Sequence, residues 1–227
     1  MGRYINITTA LTPVQRNIQD VIATTCSWVV PAGVTTATFE IWGGGGAGGP
    51  MCCCYCGSST YGNGGGFAMK TVTTTPGDTY TVVAGSGGQA VYCAVGGNNT
   101  GCRGCVSYVT GTGLSNFCAE GGYGGYWTCC TPMIDCCGGA AYGGDYNFLG
   151  GSGHGMHWGW VCTFSTGGAA GLWGAFSPWH TFHCCPYISC GACGIFPGGG
   201  GSGLNKCCCD CCGCAGGGAP GLVRITY

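Results

Sequence analysis

The chain gives up its side chains in runs. Directly after Trp42 come Gly43-Gly-Gly-Gly46-Ala47-Gly48-Gly49, and Gly-Gly pairs recur at 121, 124, 138, 143, 150, 167, 198, 200 and 216. Backbone without Cβ atoms cannot fill a hydrophobic core, and glycine loses more conformational freedom on ordering than any other residue. Such runs are therefore either solvated linkers or segments held by dense backbone hydrogen bonding. Composition decides between the two: the 52 glycines are accompanied by 12% aromatic residues and 24 cysteines, which a solvated linker does not carry. A collagen helix is excluded, because 52 of 227 residues falls short of one third and runs of four glycines break its strict period. What remains is extended glycine chain in a polyproline II conformation, several segments side by side, pairing N–H with C=O because no Cβ holds them apart.

Around the glycines the pattern is that of strands. Residues 28–42 read as one framework strand; in Thr36–Trp42, Ala37, Phe39 and Ile41 face one way and Thr36, Thr38, Glu40 and Trp42 the other. Residues 67–75 and 79–84 are rich in β-branched side chains and are joined by Pro76-Gly77-Asp78, which predicts a hairpin. Residues 105–110, 116–120 and 222–227 bring the total to about six strands, enough for one sheet or a small sandwich. The last of these is expected to close against residues 28–42. The fold class expected is all-β: an antiparallel β-sandwich framework over residues 26–120 and 219–227, with a glycine- and cysteine-rich, polyglycine II-like insertion over residues 121–218 that is stapled by disulfides.

Residues 1–25 differ in composition, with a single glycine. Thr12-Pro13-Val14-Gln15 fits a capping box with proline at the first helical position, and Val14, Ile18, Val21 and Ile22 share a helical face. A short amphipathic helix is expected, within an N-terminal attachment arm. At about ten residues it is too short to stand alone, so it docks either on its own sheet or on a neighbouring protein.

Several function classes are excluded. With 6 Lys+Arg, 7 Asp+Glu and a net charge of -1, there is no electrostatic basis for binding nucleic acid. No run approaches the ~18 apolar residues of a membrane span, and no apolar leader opens the chain, so neither membrane insertion nor signal-directed export is expected. Asn6 stands where a myristoylation signal needs Ser or Thr. Carboxylates are scattered, and there is no Gly-x-Ser-x-Gly elbow. Gly43, Gly45 and Gly48 spell a dinucleotide-type spacing, but Pro50-Met-Cys-Cys-Cys follows instead of a helix. No enzyme and no catalytic residue are expected.

The cysteines admit two readings. Adjacent pairs and triplets, Cys52, Cys53 and Cys54, Cys129 and Cys130, Cys136 and Cys137, Cys207, Cys208 and Cys209, Cys211 and Cys212, suit cross-links between layers, since neighbours on an extended chain reach different partners. The other reading is that many are reduced apolar fillers. His154 and His157, and His180 and His183 running into Cys184 and Cys185, are candidate metal ligands by residue type. Cys190 and Cys193 with Cys209 and Cys212 match a zinc-ribbon spacing, which so dense a cysteine tract also meets by chance. Beyond such a metal no cofactor is expected. Aromatic residues gather over 142–187, including Tyr142, Tyr146 and Phe148; Trp158, Trp160, Trp173, Trp179 and Tyr187 are the receptor-binding candidates, as a flat surface for a host receptor or a sugar face, with lattice walls or a subunit contact as the alternative.

Four motifs carry a family resemblance. They are Val30-Pro-Ala-Gly-Val-Thr35 leading to Trp42-Gly-Gly-Gly-Gly-Ala-Gly-Gly49, then Gly64-Gly-Gly-Phe-Ala68, then Thr75-Pro-Gly-Asp-Thr-Tyr-Thr-Val-Val-Ala-Gly-Ser-Gly-Gly88, and the ending Gly218-Ala-Pro-Gly-Leu-Val-Arg-Ile-Thr-Tyr227. Together they resemble the glycine-rich domain of bacteriophage tail-fibre and virion proteins, in outline over residues 28–227. In the related glycine-rich tip adhesins of T-even phages, a polyglycine II sandwich presents loops that bind the host surface. The resemblance implies a virion location, partners among other virion proteins through residues 1–25, a homo-oligomer (a trimer by analogy with fibres), and attachment to a host receptor or glycan. The cysteines and the irregular glycine spacing depart from the family pattern.

Overall fold

The structure, a computed structural model, describes residues 18–50, 57–91, 100–128, 138–158, 162–166, 168–170, 191–203, 205–206 and 214–227. Its strands are β1 (Gln19–Ile22), β2 (Cys26–Val29), β3 (Thr36–Trp42), β4 (Gly57–Ser59), β5 (Phe67–Thr73), β6 (Thr79–Val83), β7 (Ser107–Thr110), β8 (Cys118–Ala119), β9 (Trp127–Thr128), β10 (Ala141–Tyr142), β11 (Tyr146–Phe148), β12 (His154–Trp158), β13 (Cys162–Thr166), β14 (Asn205–Lys206) and β15 (Leu222–Thr226). The described residues contain no helix. Two antiparallel sheets of five strands dominate, in the orders β1-β15-β3-β5-β11 and β10-β8-β7-β6-β2; smaller sheets pair β12 with β13 and order β14-β4-β9.

One buried cluster draws side chains from both large sheets. Ala37, Phe39 and Ile41 of β3 point into it, as the alternation predicts, and meet Trp28, Tyr80, Val82, Val109, Val223 and Ile225. Trp28 lies edge-on to Phe39 at 5.7 Å between centroids, and Phe39 meets Tyr80 at 5.1 Å. The wholly buried Tyr80 keeps a partner for its hydroxyl, which donates to the carbonyl of Thr112 at 2.9 Å.

Three sequence expectations are corrected. Residues 19–22 are strand, where the apolar spacing predicted the end of a helix; residues 1–17 lie outside the described residues. Pairing Ile18 to Ile22 against Val223 to Tyr227 gives the backbone its partners, and the Asp20 carboxylate accepts from Trp28 Nε1 (2.9 Å) and Tyr227 Oη (3.0 Å). Tertiary contacts thus override a local pattern too short to hold a helix. The 28–42 stretch splits at Pro31, with Gly33 at φ 85°, into β2 and β3 on different sheets. Its 36–42 part does pair with β15, Leu222 opposite Trp42. The proposed hairpin is a crossing between sheets: β5 pairs with β3 and β11, β6 with β2 and β7. The turn forms (Asp78 N to Thr75 O, 3.0 Å), but its bonding edge is taken by Val30, which donates to Asp78 O and accepts from Gly77 N, each at 2.9 Å.

Past the strand ends the ladders continue in glycine. The register that sets Trp42 opposite Phe67 runs on as Gly43 N to Gly66 O, Gly46 N to Asn63 O and Gly49 N to Thr60 O. The register of Leu222 opposite Trp42 runs on as Gly45 N to Ala219 O and Gly48 N to Gly216 O. The third set of donors, Gly44 and Ala47, crosses to the extension of the other sheet and reaches Cys105 O and Cys102 O. Successive N–H groups of residues 43–49 therefore serve three neighbours in rotation, with a repeat of three residues. Their carbonyls accept from Gly122 and Gly125, Gly88 and Gly201, so this segment is bonded to six others. A methyl group at Gly45 would overlap the carbonyl oxygen of Gly199, and one at Gly62 that of Gly46, so approach this close requires glycine.

Candidate functional site

The residues singled out from sequence fall largely outside the described ones: Trp160, Trp173, Trp179, Tyr187, His180, His183, Cys184, Cys185 and all twelve candidate disulfide cysteines do. Of the rest, His154, His157 and Trp158 lie on β12, opposite Thr166, Thr163 and Cys162 of β13. Among the described residues no group of three or more His, Cys, Asp or Glu is placed to hold a metal ion. The described cysteines Cys26, Cys102, Cys105 and Cys118 are unbridged. Cys118 stands in register between Tyr108 and Tyr142, and burial, then the Glu120 carboxylate, pushes its thiol pKa up, so it stays protonated as a small filler. The Cys102-x-x-Cys105 spacing is one repeat of the glycine network. At about 3.1 Å per residue it separates the two Cα atoms by about 9 Å, beyond disulfide reach.

The surface that stands out lies at the margin shared by β10 and β11. Of the large apolar side chains that are exposed, four fall within eight residues: Tyr142 (45%), Tyr146 (57%), Phe148 (37%) and Leu149 (73%). The corner between the strands is backbone-anchored. Gly143 adopts φ 73°, and a methyl there would crowd the carbonyls of Ser115 and Asn116 at 2.6 and 2.5 Å. Gly144 N donates to Asn147 Oδ1 (3.0 Å) and Asn147 Nδ2 returns a bond to Gly144 O (2.9 Å). Asp145 N donates to Met69 O (2.8 Å), and its carboxylate accepts from Thr71 N (3.0 Å) beside Lys70 Nζ (3.7 Å). The rings are thus presented from a fixed support.

Phe148 opens a row that crosses the first sheet in register: Phe148 opposite Phe67, Phe67 opposite Trp42, Trp42 opposite Leu222. Centroids lie 6.1 Å apart for Phe148 and Phe67 and 4.9 Å for Phe67 and Trp42. The row grades from the exposed Phe148 to the buried Phe67, Trp42 and Leu222, packed with Ala170. The next row runs Tyr146, Met69, Glu40, Arg224. Arg224 donates from Nε and Nη2 to both oxygens of Glu40 (2.5 and 2.6 Å) and lies 5.5 Å over the Trp42 ring. That bond to Glu40 raises the Arg224 pKa, and burial opposes the rise only in part. The charges of this face therefore cancel within it. One polar atom does not: Trp42 Nε1 is buried and has no acceptor, the single buried side-chain nitrogen or oxygen of that kind among the described residues.

The arrangement offers ring surface and phenolic hydroxyls with its charges internally paired, which is the chemistry of a contact surface. Sequence reasoning placed Tyr142, Tyr146 and Phe148 among the gathered aromatics but ranked the tryptophans above them. It missed Trp42 and Phe67 as the buried support behind Phe148; the sign was Trp42 falling on the polar side of an alternating strand. The chain matches no protein-family model and no curated protein.

Proposed function

We propose that this chain is a bacteriophage virion structural protein, a tail-fibre or fibre-tip component that attaches the particle to the host surface. The observation that carries the reading is the glycine network, bonded with a repeat of three residues and grown from the ends of two antiparallel sheets, which holds an exposed aromatic margin on a rigid corner. It agrees with the motifs at 30–49, 64–68, 75–88 and 218–227 that resemble tail-fibre glycine-rich domains. On this reading the sheets form a β-sandwich and the glycine segments a polyglycine II-like lattice. Residues 1–17 contact other virion proteins, since residues 18–22 are already committed to the chain's own sheet. Copies associate, as a trimer by analogy with fibres.

The test has two arms. Mass spectrometry of purified particles from the encoding virus finds the chain if the virion assignment is right, and its absence overturns it. Purified protein added to host cells before infection slows adsorption if the chain attaches; unchanged adsorption leaves a structural virion component without receptor binding.

A further inference from the structure

Resting on the attachment reading, we propose that the β11 margin of the first sheet is a binding site for a neutral, hydroxyl-bearing sugar ring. Tyr146 and Phe148 are alternate residues of one strand, so their side chains share a face about 7 Å apart. Both are exposed, and behind Phe148 the row continues through Phe67 to Trp42. A pyranose has an apolar face of C–H groups that stacks on such rings and an equatorial rim of hydroxyls that needs donors and acceptors. The Tyr146 hydroxyl can supply both.

Charge narrows the class. Glu40 is bound at both oxygens by Arg224, and Asp145 is bound by Thr71 N and faces Lys70. Among the described residues no cation of this face is left over for a sialic acid carboxylate or a phosphate, and the Asn147 amide is consumed by Gly144. An anionic ligand would therefore lose its hydration without compensation. A neutral one loses little.

The full chain is applied to immobilised oligosaccharides ending in neutral hexoses or N-acetylhexosamines, and to counterparts ending in sialic acid or carrying phosphate. Binding to a neutral terminus at least tenfold tighter than to its charged counterpart is expected. Tyr146→Ala and Phe148→Ala each weaken it at least tenfold; the thermal midpoint holds in Tyr146→Ala, whose side chain is the more exposed, and falls modestly in Phe148→Ala, which also loses its ring contact with Phe67. Tyr146→Phe keeps the stacking and loses the hydroxyl, so it falls between. Equal or tighter binding to charged termini, or no loss in Tyr146→Ala and Phe148→Ala, overturns the site. If no glycan binds but Tyr146→Ala still abolishes adsorption, attachment stands and the sugar is replaced by a protein receptor. If glycans bind as expected but the protein leaves adsorption untouched, the attachment reading alone falls.

Discussion

The two large sheets and the glycine network are made by the same chain segments in the same registers, yet they hold together by opposite means. Where strands carry side chains, as at Phe39 and Tyr80, the two sheets share one apolar core. A few residues on, the same strands have lost their Cβ atoms, and backbone bonds cross between the extensions of the two sheets: Gly44 to Cys105, Ala47 to Cys102, Gly122 to Gly44. A strand of a sheet has two bonded neighbours; residues 43–49 have six. The difference teaches what a side chain does in a sheet besides filling a core: it keeps sheets from bonding to one another. Each backbone bond adds only about 1 kcal/mol net, against about 1–2 kcal/mol to order each residue's backbone and more for glycine. The network is therefore sustainable chiefly because the sheets deliver its segments already in register.

That contrast is broken most severely by adding one carbon atom to the network. Gly45→Ala sets a methyl group on the carbonyl of Gly199, and backbone on both sides is tied by further bonds, so nothing near it can yield. The expected loss is about 4 kcal/mol or more, at the top of the range for a point substitution. Phe39→Ala removes a whole ring from the centre of the core and should cost about 3–4 kcal/mol, since a core relaxes partly around a cavity. Denaturant unfolding of both variants decides it. A Gly45→Ala protein within about 1 kcal/mol of the parent would mean that the network contributes little to stability.

How much of this was legible in the sequence follows from the same contrast. Alternation placed Ala37, Phe39 and Ile41 in the core, and glycine runs read as packed backbone, because both signals are local. Sheet membership is not local. The turn at 75–78 reads the same whether β5 and β6 pair or part, and only Val30, 45 residues before Thr75 in the chain, decides that they part. The helix expected up to Ile22 failed for a like reason, the partners of Asp20 being Trp28 and Tyr227. For the candidate site, counting aromatics found the neighbourhood of Tyr142, Tyr146 and Phe148. It could not find Trp42 and Phe67, which join Phe148 only through cross-strand register.

The sheets, unlike the glycine network, depend on ionisable groups, and pH separates the two regions. Burial first, then the hydrogen bond to Asp20, raises the Tyr227 pKa above its ordinary 10.0; burial, then Asp78, raises that of Tyr80 in the same direction. A folded pKa above the unfolded one means that the folded state holds the proton more tightly. The stability it contributes is complete below about pH 10 and is lost as pH rises through the folded values. Thermal midpoints should therefore fall above pH 10. Tyr227→Phe should flatten that fall without abolishing it, because Tyr80 still titrates. A slope unchanged in Tyr227→Phe would place the alkaline loss elsewhere.

The smallest effect is expected inside the network itself, and it tests the repeat rather than the region. In residues 216–221, the backbone N–H groups of Gly216, Gly218, Ala219 and Gly221 donate to neighbouring segments, while Gly217 N–H has no backbone acceptor among the described residues and Pro220, three residues on, has no N–H to offer. The position that needs no donor is also the one with room. Among the described residues a methyl at Gly217 would meet nothing closer than Gly88 O at 3.4 Å and Ala90 N at 3.6 Å, and its φ is not in the left-handed region; one at Gly218 would overlap Gly45 O. Gly217→Ala should then fall within about 0.5 kcal/mol of the parent, on the stabilising side if the reduced entropy of the unfolded chain prevails. Gly218→Ala, one residue away, should lose several times as much. Measured as a pair by denaturant midpoint, two equal outcomes would remove the three-residue repeat as the rule that orders this part of the chain, because no gradient along a solvated glycine linker distinguishes neighbouring positions.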